Sequence, residues 1–308
     1  MSTSLVLDPQ AAGRPADPAP MHRLRLDRDD LYRNLNARAC WVHHDLCAHP
    51  LLTLPRLLQL AQALPRKYVR INSGAVPVGA TPAQIPETGE TVEQSFAEIE
   101  GSNTRIMLKK IELDPDYRDL LYGCIAEIEA LGHPAMRGIT TRVGYVFISA
   151  PSQTTPYHMD PEINFLLQIR GQKTFFVLPG DDLSILSAED VEGFYTGAHD
   201  HLDFKEEWRE RAVPFAMNPG AGVHIPVNHP HWVTTANEVT ISLALTVETA
   251  ATERRGMVCA FNRSLRRWGL RPTPPGRSPV RDLLKQQAVR ATSGLKSLLA
   301  LRRKPAPH

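Results

Sequence analysis

The sequence predicts a mainly β protein, with a barrel or sandwich core over residues 139–250 and a basic helical tail over 251–308. Two observations support this fold class. From residue 139 onward, short runs rich in β-branched and aromatic residues alternate with turn residues, as in TTRVGYVFISA, NFLLQI, KTFFVLP, AGVHIP and VTISLALTVE. Most gaps between these runs are too short to hold the helices that a parallel α/β sheet requires.

The part before the core is predicted to contain both helices and strands that pack on it. Residues 1–20 are rich in Pro and Ala and are typical of a disordered lead-in. Residues 21–138 follow, and their first part, 21–70, is expected to be mainly helical with breaks. Apolar spacing and terminal signals then favour a strand over 104–113 and a helix over 114–131.

The charge of the chain is unevenly distributed. Residues 251–304 hold 14 Lys and Arg against two acids, Glu253 and Asp282, so this stretch carries about +12 and the preceding body about −10. Leucines and valines interleaved with the basic residues predict one or two basic amphipathic helices, with a break near Gly294. A basic tail on an acidic body is expected to have an anionic partner: a membrane surface, a nucleic acid or an acidic protein.

Composition and cysteine usage narrow the class of protein. Hydrophobic residues make up 42% of the chain and charged residues 22%, and no run of 18 apolar residues that could span a membrane is present. The N-terminus lacks the basic-then-apolar order of a secretory signal. The four cysteines form no Cys-x-x-Cys pair, which argues against a zinc ribbon and favours free thiols in a reducing cytoplasm. We therefore expect a cytoplasmic protein, which the tail could bring to the membrane periphery.

The pattern with the clearest chemical meaning is His158-Met-Asp160. Two residues that are separated by one position in a strand point to the same face, and an imidazole with a carboxylate suits a metal such as Fe(II). A third ligand must come from elsewhere, and His231, about 70 residues later, is the best candidate. His229, two residues before His231, is the alternative third ligand. A bare His-x-Asp pair with a downstream histidine is also common by chance. His199 and His201, in an insert over 181–212, are interpreted as surface or substrate-loop residues.

The segments TPYHMDPEINFLLQIRGQKTFFVLP and PGAGVHIPVNHPHWV resemble the JmjC-type 2-oxoglutarate oxygenases, and within them the asparaginyl hydroxylase branch typified by the factor inhibiting hypoxia-inducible factor. The resemblance covers roughly residues 140–250. It implies a double-stranded β-helix (jelly-roll, cupin) fold, and Fe(II) held by His158, Asp160 and His231. The family pattern of Pro, four residues, His favours His231 over His229.

The same resemblance implies a site for the cosubstrate. Thr155 stands three residues before the first histidine, and Lys173 stands thirteen residues after Asp160. Both are implied to hold the distal carboxylate of 2-oxoglutarate, and Asn164 is implied to line the same pocket. An ammonium and a hydroxyl suit this role because a buried carboxylate needs a counter-charge and hydrogen bonds.

Two positions depart from the family pattern. Met107 occupies the place of a family tyrosine that touches the cosubstrate, and Ala244 or a neighbour replaces a later asparagine near the metal. Ser242 or Thr246 is expected to compensate for the lost polar contacts.

The resemblance implies an Fe(II)- and 2-oxoglutarate-dependent dioxygenase that hydroxylates a peptide, a protein or a small molecule. Hydroxylation is favoured over demethylation because no chromatin-reading segment accompanies the core. The tail would then bind the anionic partner or form a homodimer.

Two other functional classes stay open. One is a non-enzymatic, cupin-like metal-binding regulator whose tail contacts nucleic acid or membrane. The other is a metal-dependent cupin isomerase or cofactor-free oxygenase, neither of which needs Lys173.

Overall fold

Two antiparallel sheets form the centre of the fold in the computed structural model, which describes residues 23–197 and 202–302, with side chains as far as residue 291. The predicted lead-in, 1–20, and the two insert histidines, His199 and His201, lie outside the described residues. The sheets face each other as the two walls of a flattened barrel. This arrangement confirms the predicted mainly β, double-stranded β-helix class.

The larger sheet has eight strands in the order β1-β2-β10-β7-β12-β5-β4-β3. Its central strands are long and apolar because both of their faces are covered. In β7, every residue but the last is buried. The strands are β1 Leu24–Arg25, β2 Cys40–His44, β3 Val69–Ser73, β4 Thr104–Lys109, β5 Ile139–Ser149, β7 Ile163–Arg170, β10 Ala221–Ile225 and β12 Thr240–Thr249.

The smaller sheet has four strands in the order β6-β11-β8-β9. In β8 the residues alternate between buried and half-buried, which is the pattern of a strand with one face toward the barrel interior. The strands are β6 Thr154–His158, β8 Lys173–Val177, β9 Val213–Met217 and β11 His231–Thr235.

Alternation along the strands separates two apolar cores. Phe165 and Leu167 face the N-terminal helices, whereas Leu166 between them faces the barrel interior. In β12, Leu243 and Leu245 face the helices and Ala244 faces the interior. The barrel interior therefore holds a second, smaller core. The side chain of Ala244 is small and leaves space within this core.

The region before the core differs in part from its prediction. The expected helix over 114–131 and strand over 104–113 are confirmed as α4, Pro115–Glu129, and β4. The expectation that 21–70 is mainly helical was wrong, because β1, β2 and the start of β3 lie in this stretch beside α1, Arg28–Asn34, and α2, Leu54–Ala63. A short helix, α3, spans Val92–Ala97. Strands β1 to β4 extend the larger sheet at both edges.

Helices follow and interrupt the core. The insert contains α5, Ala188–Tyr195, and the chain after β12 forms α6, Ala250–Arg267, and α7, Pro279–Arg302. Thr249 caps α6 with its side chain. Helix α7 continues past Gly294, so the break expected there is absent; a single glycine inside a helix costs only about 1 kcal/mol. None of the helices in the described ranges has the length and apolar character needed to cross a bilayer.

Candidate metal centre and adjoining cavity

His158 and His231 meet because strands β6 and β11 are paired. The two residues are directly opposite each other in the antiparallel register, and their ring centroids are 4.2 Å apart. His158 ends β6 and His231 begins β11, so both rings lie at the same end of the smaller sheet. Pairing of the two sequence-distant segments therefore brings the two imidazoles together.

Asp160 lies between the two rings. One carboxylate oxygen, Oδ1, is 3.9 Å from His158 Nε2, and the other, Oδ2, is 3.7 Å from His231 Nε2. The three side chains offer ligand atoms that all lie within 4.8 Å of one another. The backbone carbonyl of Asp160 accepts a hydrogen bond of 2.9 Å from the Asn228 amide, which ties the loop after β6 to the loop before β11.

The imidazoles are oriented for metal binding by their own backbones. His158 Nδ1 donates to the Pro156 carbonyl at 2.7 Å, and His231 Nδ1 donates to the His229 carbonyl at 2.8 Å. Since each Nδ1 carries the proton, each Nε2 keeps a free lone pair. Burial, with a smaller contribution from His158, lowers the pKa of His231 to about 3, so this ring is neutral at physiological pH.

Asn164 holds the carboxylate of the group. Its amide Nδ2 donates to Asp160 Oδ2 at 3.0 Å, and its own Oδ1 is buried without a hydrogen-bond partner. Burial by itself would raise the pKa of Asp160, but the two histidines and this hydrogen bond keep it below the usual value. Two imidazoles and one carboxylate on one side of a point are a donor set that suits Fe(II) and leaves other coordination positions open.

A cavity of about 430 Å³ adjoins the three candidate ligands. Thr155 lines it, as do His158, Asp160 and Asn164. Residues three apart in a regular strand point to opposite faces, but the pairing of β6 with β11 shifts register between His231 and Val233. This bulge allows Thr155 and His158 to line the same cavity.

A half-buried arginine, which the sequence reasoning missed, also lines this cavity. Arg105 Nη1 donates to Thr155 Oγ1 at 3.0 Å, and burial lowers the pKa of its guanidinium. Arg105 and Met107 point to the same face of β4, so the alternation of the strand, applied to the sequence, could have placed Arg105 at the cavity.

Lys173 is buried but does not line the large cavity. It shares the interior face of β8 with Phe175, whose ring lies 4.7 Å from the ring of His231. Burial, together with the nearby charge of Arg105, lowers the pKa of Lys173 to about 7. Among the described residues, no carboxylate pairs with either Lys173 or Arg105.

Solved structures with the same architecture come from Escherichia coli YcfD. An X-ray structure of YcfD matches with a TM-score of 0.53 and 15% identity, over 92% of this chain and 70% of the YcfD chain. The chain has the YcfD fold. A structure titled as the ribosomal oxygenase YcfD matches at 0.50 and 14%, and one of YcfD with cobalt and 2-oxoglutarate matches at 0.50 and 15%, each over 92% of this chain and 68% of the other. No family model and no curated protein matches the sequence.

Within this YcfD fold, the two departures from the family pattern both lie at the cavity. Met107 and Ala244 line it, as does Tyr145 from β5, which stands opposite Ala244 in the sheet. Thr246 also lines the cavity and donates its hydroxyl to the Val143 carbonyl. Ser242 does not line it, since its hydroxyl donates to Gln168 Oε1 in the buried core. Of the two residues expected to compensate, only Thr246 lies at the cavity, and Tyr145 is a further polar group there.

Glu162 is a further cavity residue that the sequence reasoning did not single out. Burial, followed by the nearby carboxylates of Asp160 and Glu248, raises the pKa of Glu162 to about 7. Its position two residues after Asp160 was visible in the sequence, but its burial depends on the surrounding strands of the YcfD fold.

The other histidines near the motif have structural contacts. His229 supplies its carbonyl to His231, and its own ring contacts the Val227 carbonyl. The buried His224 bridges the Asn164 carbonyl and the Asn36 amide. His44 contacts the Gln168 carbonyl in the same way. Trp232 is buried and stacks on Phe176, as expected of a core residue.

Proposed function

We propose that this protein is an Fe(II)- and 2-oxoglutarate-dependent oxygenase that hydroxylates its substrate. The observation that carries the proposal is the combination of a His-Asp-His group with two cations: the half-buried Arg105, which donates to Thr155, and the buried Lys173. Among the described residues, neither cation pairs with a carboxylate. Buried charges without partners are costly, so this arrangement favours a bound anion. A dicarboxylate that reaches from the metal to the cations meets this need.

The fold supports the same conclusion. YcfD, which shares the architecture at low identity, is titled a ribosomal oxygenase and has been solved with cobalt and 2-oxoglutarate. The agreement of Thr155, Asn164 and Lys173 with the family pattern supports a place near the asparaginyl hydroxylase branch.

The buried thiols of Cys40, Cys124 and Cys259 support a reducing, cytoplasmic compartment.

Each residue then has a defined task. His158, Asp160 and His231 would hold Fe(II), which supplies the redox chemistry that converts 2-oxoglutarate and O₂ into succinate and CO₂ and puts one oxygen atom into a substrate C–H bond. Asn164 orients the Asp160 carboxylate. Thr155, Arg105 and Lys173 bind the distal carboxylate of 2-oxoglutarate and thereby fix the orientation of the cosubstrate. The apolar interior around Phe175 keeps water from the site.

The direct test is succinate formation. Anaerobically iron-loaded protein is mixed with 2-oxoglutarate, and succinate is measured after oxygen is admitted, with and without iron. We expect slow, iron-dependent succinate formation from the wild-type protein even without substrate. Asp160→Ala should abolish it, whereas Asp119→Ala, which removes an exposed carboxylate on α4, should leave it unchanged.

Two outcomes would contradict the proposal. Succinate formation at the wild-type rate by Asp160→Ala would exclude the assigned ligands. Absence of succinate, with no thermal stabilisation by 2-oxoglutarate, would favour the non-enzymatic metal-binding regulator.

A further inference from the structure

The first two turns of α7 expose apolar side chains to solvent. Val280, Leu283 and Leu284 are 70%, 54% and 65% exposed, and their spacing places them on one face of the helix. On the opposite face, Asp282 and Lys285 are buried. This is the reverse of a helix that packs on a core through its apolar side.

Polar contacts with the preceding loop fix this orientation. Asp282 Oδ2 accepts from the Gly276 amide at 2.7 Å, and Lys285 Nζ donates to the Thr273 carbonyl at 2.7 Å. The same carbonyl accepts from Asn262 of α6 at 3.1 Å. Rotation of α7 to bury its leucines would break these bonds, so the outward apolar face is part of the folded structure.

Further apolar side chains are exposed at the turn that follows α6. Trp268 is 80% exposed and Leu270 is 53% exposed. Large apolar side chains that are exposed close together in the sequence, as over 268–284, are candidates for an interaction surface. We call these two residues, together with Val280, Leu283 and Leu284, the C-terminal apolar set.

The exposed charges within residues 254–291 have one sign. Exposed arginines accompany the C-terminal apolar set at positions 267, 271, 277, 281 and 290. In residues 254–308 the sequence has a single acid, Asp282, and that side chain is buried. A two-fold contact between copies through this surface would bring arginines toward arginines, and the neighbouring carboxylates of Glu189 and Glu192 are already paired with Arg266. A nucleic acid would satisfy the arginines but would leave the apolar set unused.

We propose that α7 and the turn before it dock on the surface of an anionic lipid bilayer. Trp268 and the leucines would enter the boundary between headgroups and acyl chains, and the arginines would contact anionic headgroups. This inference does not rest on the proposed oxygenase activity.

The test is co-sedimentation of the full chain with vesicles. One set of vesicles is phosphatidylcholine alone, and in the other about one third of the lipid is phosphatidylglycerol. We expect binding to the anionic vesicles only, and weaker binding at high salt. The double variant Leu283→Ser/Leu284→Ser should bind at least about tenfold more weakly, because two apolar side chains no longer enter the bilayer.

A matched control separates this surface from general apolar exposure. Leu183→Ser, which removes a 74% exposed leucine of the insert, should leave vesicle binding unchanged. All three leucines are exposed, so the melting temperature should be the same in each variant. An unchanged melting temperature shows that a loss of binding is not a loss of fold.

Three outcomes would overturn the inference. The first is equal binding of the wild-type protein to both kinds of vesicle. The second is no vesicle binding together with a dimer in sedimentation velocity that Leu283→Ser/Leu284→Ser dissociates, since a second copy would then cover the apolar set. The third is no vesicle binding but salt-sensitive binding to a mixed-sequence oligonucleotide.

Discussion

His158 and His231 face each other across the β6–β11 pair, and each ring donates its Nδ1 proton to the carbonyl two residues before it. The backbone that forms the strand pair thereby also sets the tautomer of both rings. Both Nε2 atoms point toward the Asp160 carboxylate. The arrangement is pre-organised, so a metal would need little rearrangement to bind.

The first prediction concerns Asn164. Asn164→Ala removes the hydrogen bond to Asp160 Oδ2 but leaves all three ligands in place. We expect metal affinity to fall about 10- to 100-fold, which is the usual effect of losing a group that orients a ligand. Competition titration with a metal-sensitive dye measures it. Asn237→Ala, at an exposed turn, is the control, and equal affinities of the two variants would contradict the role of Asn164.

The second prediction concerns stability without ligand. The pKa of Lys173 is about 7 in the folded protein and about 10.4 in an unfolded chain. Between these values the unfolded state binds more protons, so this residue makes the free energy of unfolding rise with pH, by at most about 1.4 kcal/mol per pH unit. Lys173→Met should therefore be more stable than wild type near pH 6, and this advantage should shrink toward pH 10.

Denaturant titrations of both proteins across this pH range, in the absence of 2-oxoglutarate, provide the measurement. If the free energies of unfolding of wild type and Lys173→Met differ by the same amount at every pH, then folding does not lower the pKa of Lys173.

The structure brings together His158, Asp160 and His231, which the sequence predicted as metal ligands. His158 and Asp160 are two residues apart in the chain, and the motif around His231 indicated the third candidate. His229, two residues away, could be distinguished only by the resemblance, and its role became visible with its carbonyl bond to His231. In contrast, Arg105 is a single arginine in a strand. Alternation could place it on the cavity face, but only the assembled sheets show its hydrogen bond to Thr155.

The missed strand β2 has a similar cause. Cys40, Val42 and His44 are buried, while Trp41 and His43 are exposed, so the strand does alternate. However, one of the buried residues is a histidine, and the apolar pattern is therefore incomplete. Strand β2 pairs with β10, nearly 180 residues later. A short stretch of sequence around β2 gives no signal of so distant a partner strand.

The third prediction concerns the pH dependence of cosubstrate binding. Above a pH of about 7, Lys173 of the ligand-free protein loses its proton, and the carboxylate of 2-oxoglutarate then loses one counter-charge. The Kd for 2-oxoglutarate should rise with pH above this value, by at most tenfold per unit. Anaerobic calorimetry on the metal-loaded protein should also show proton uptake on binding. Lys173→Arg, which stays charged, should bind with no such pH dependence, and a dependence that persists in this variant would assign it to another group.

The fourth prediction separates the two cations that line the cavity. Arg105→Met removes the guanidinium that donates to Thr155, whereas Arg70→Met removes one that is exposed at the cavity. A charge-assisted hydrogen bond to a buried carboxylate is worth about 1.5–3 kcal/mol, so Arg105→Met should raise the Kd for 2-oxoglutarate about 10- to 100-fold. Arg70→Met should change it by less than about twofold, since exposed ion pairs contribute little. If the two variants bind 2-oxoglutarate equally well, then Arg105 does not contact the cosubstrate.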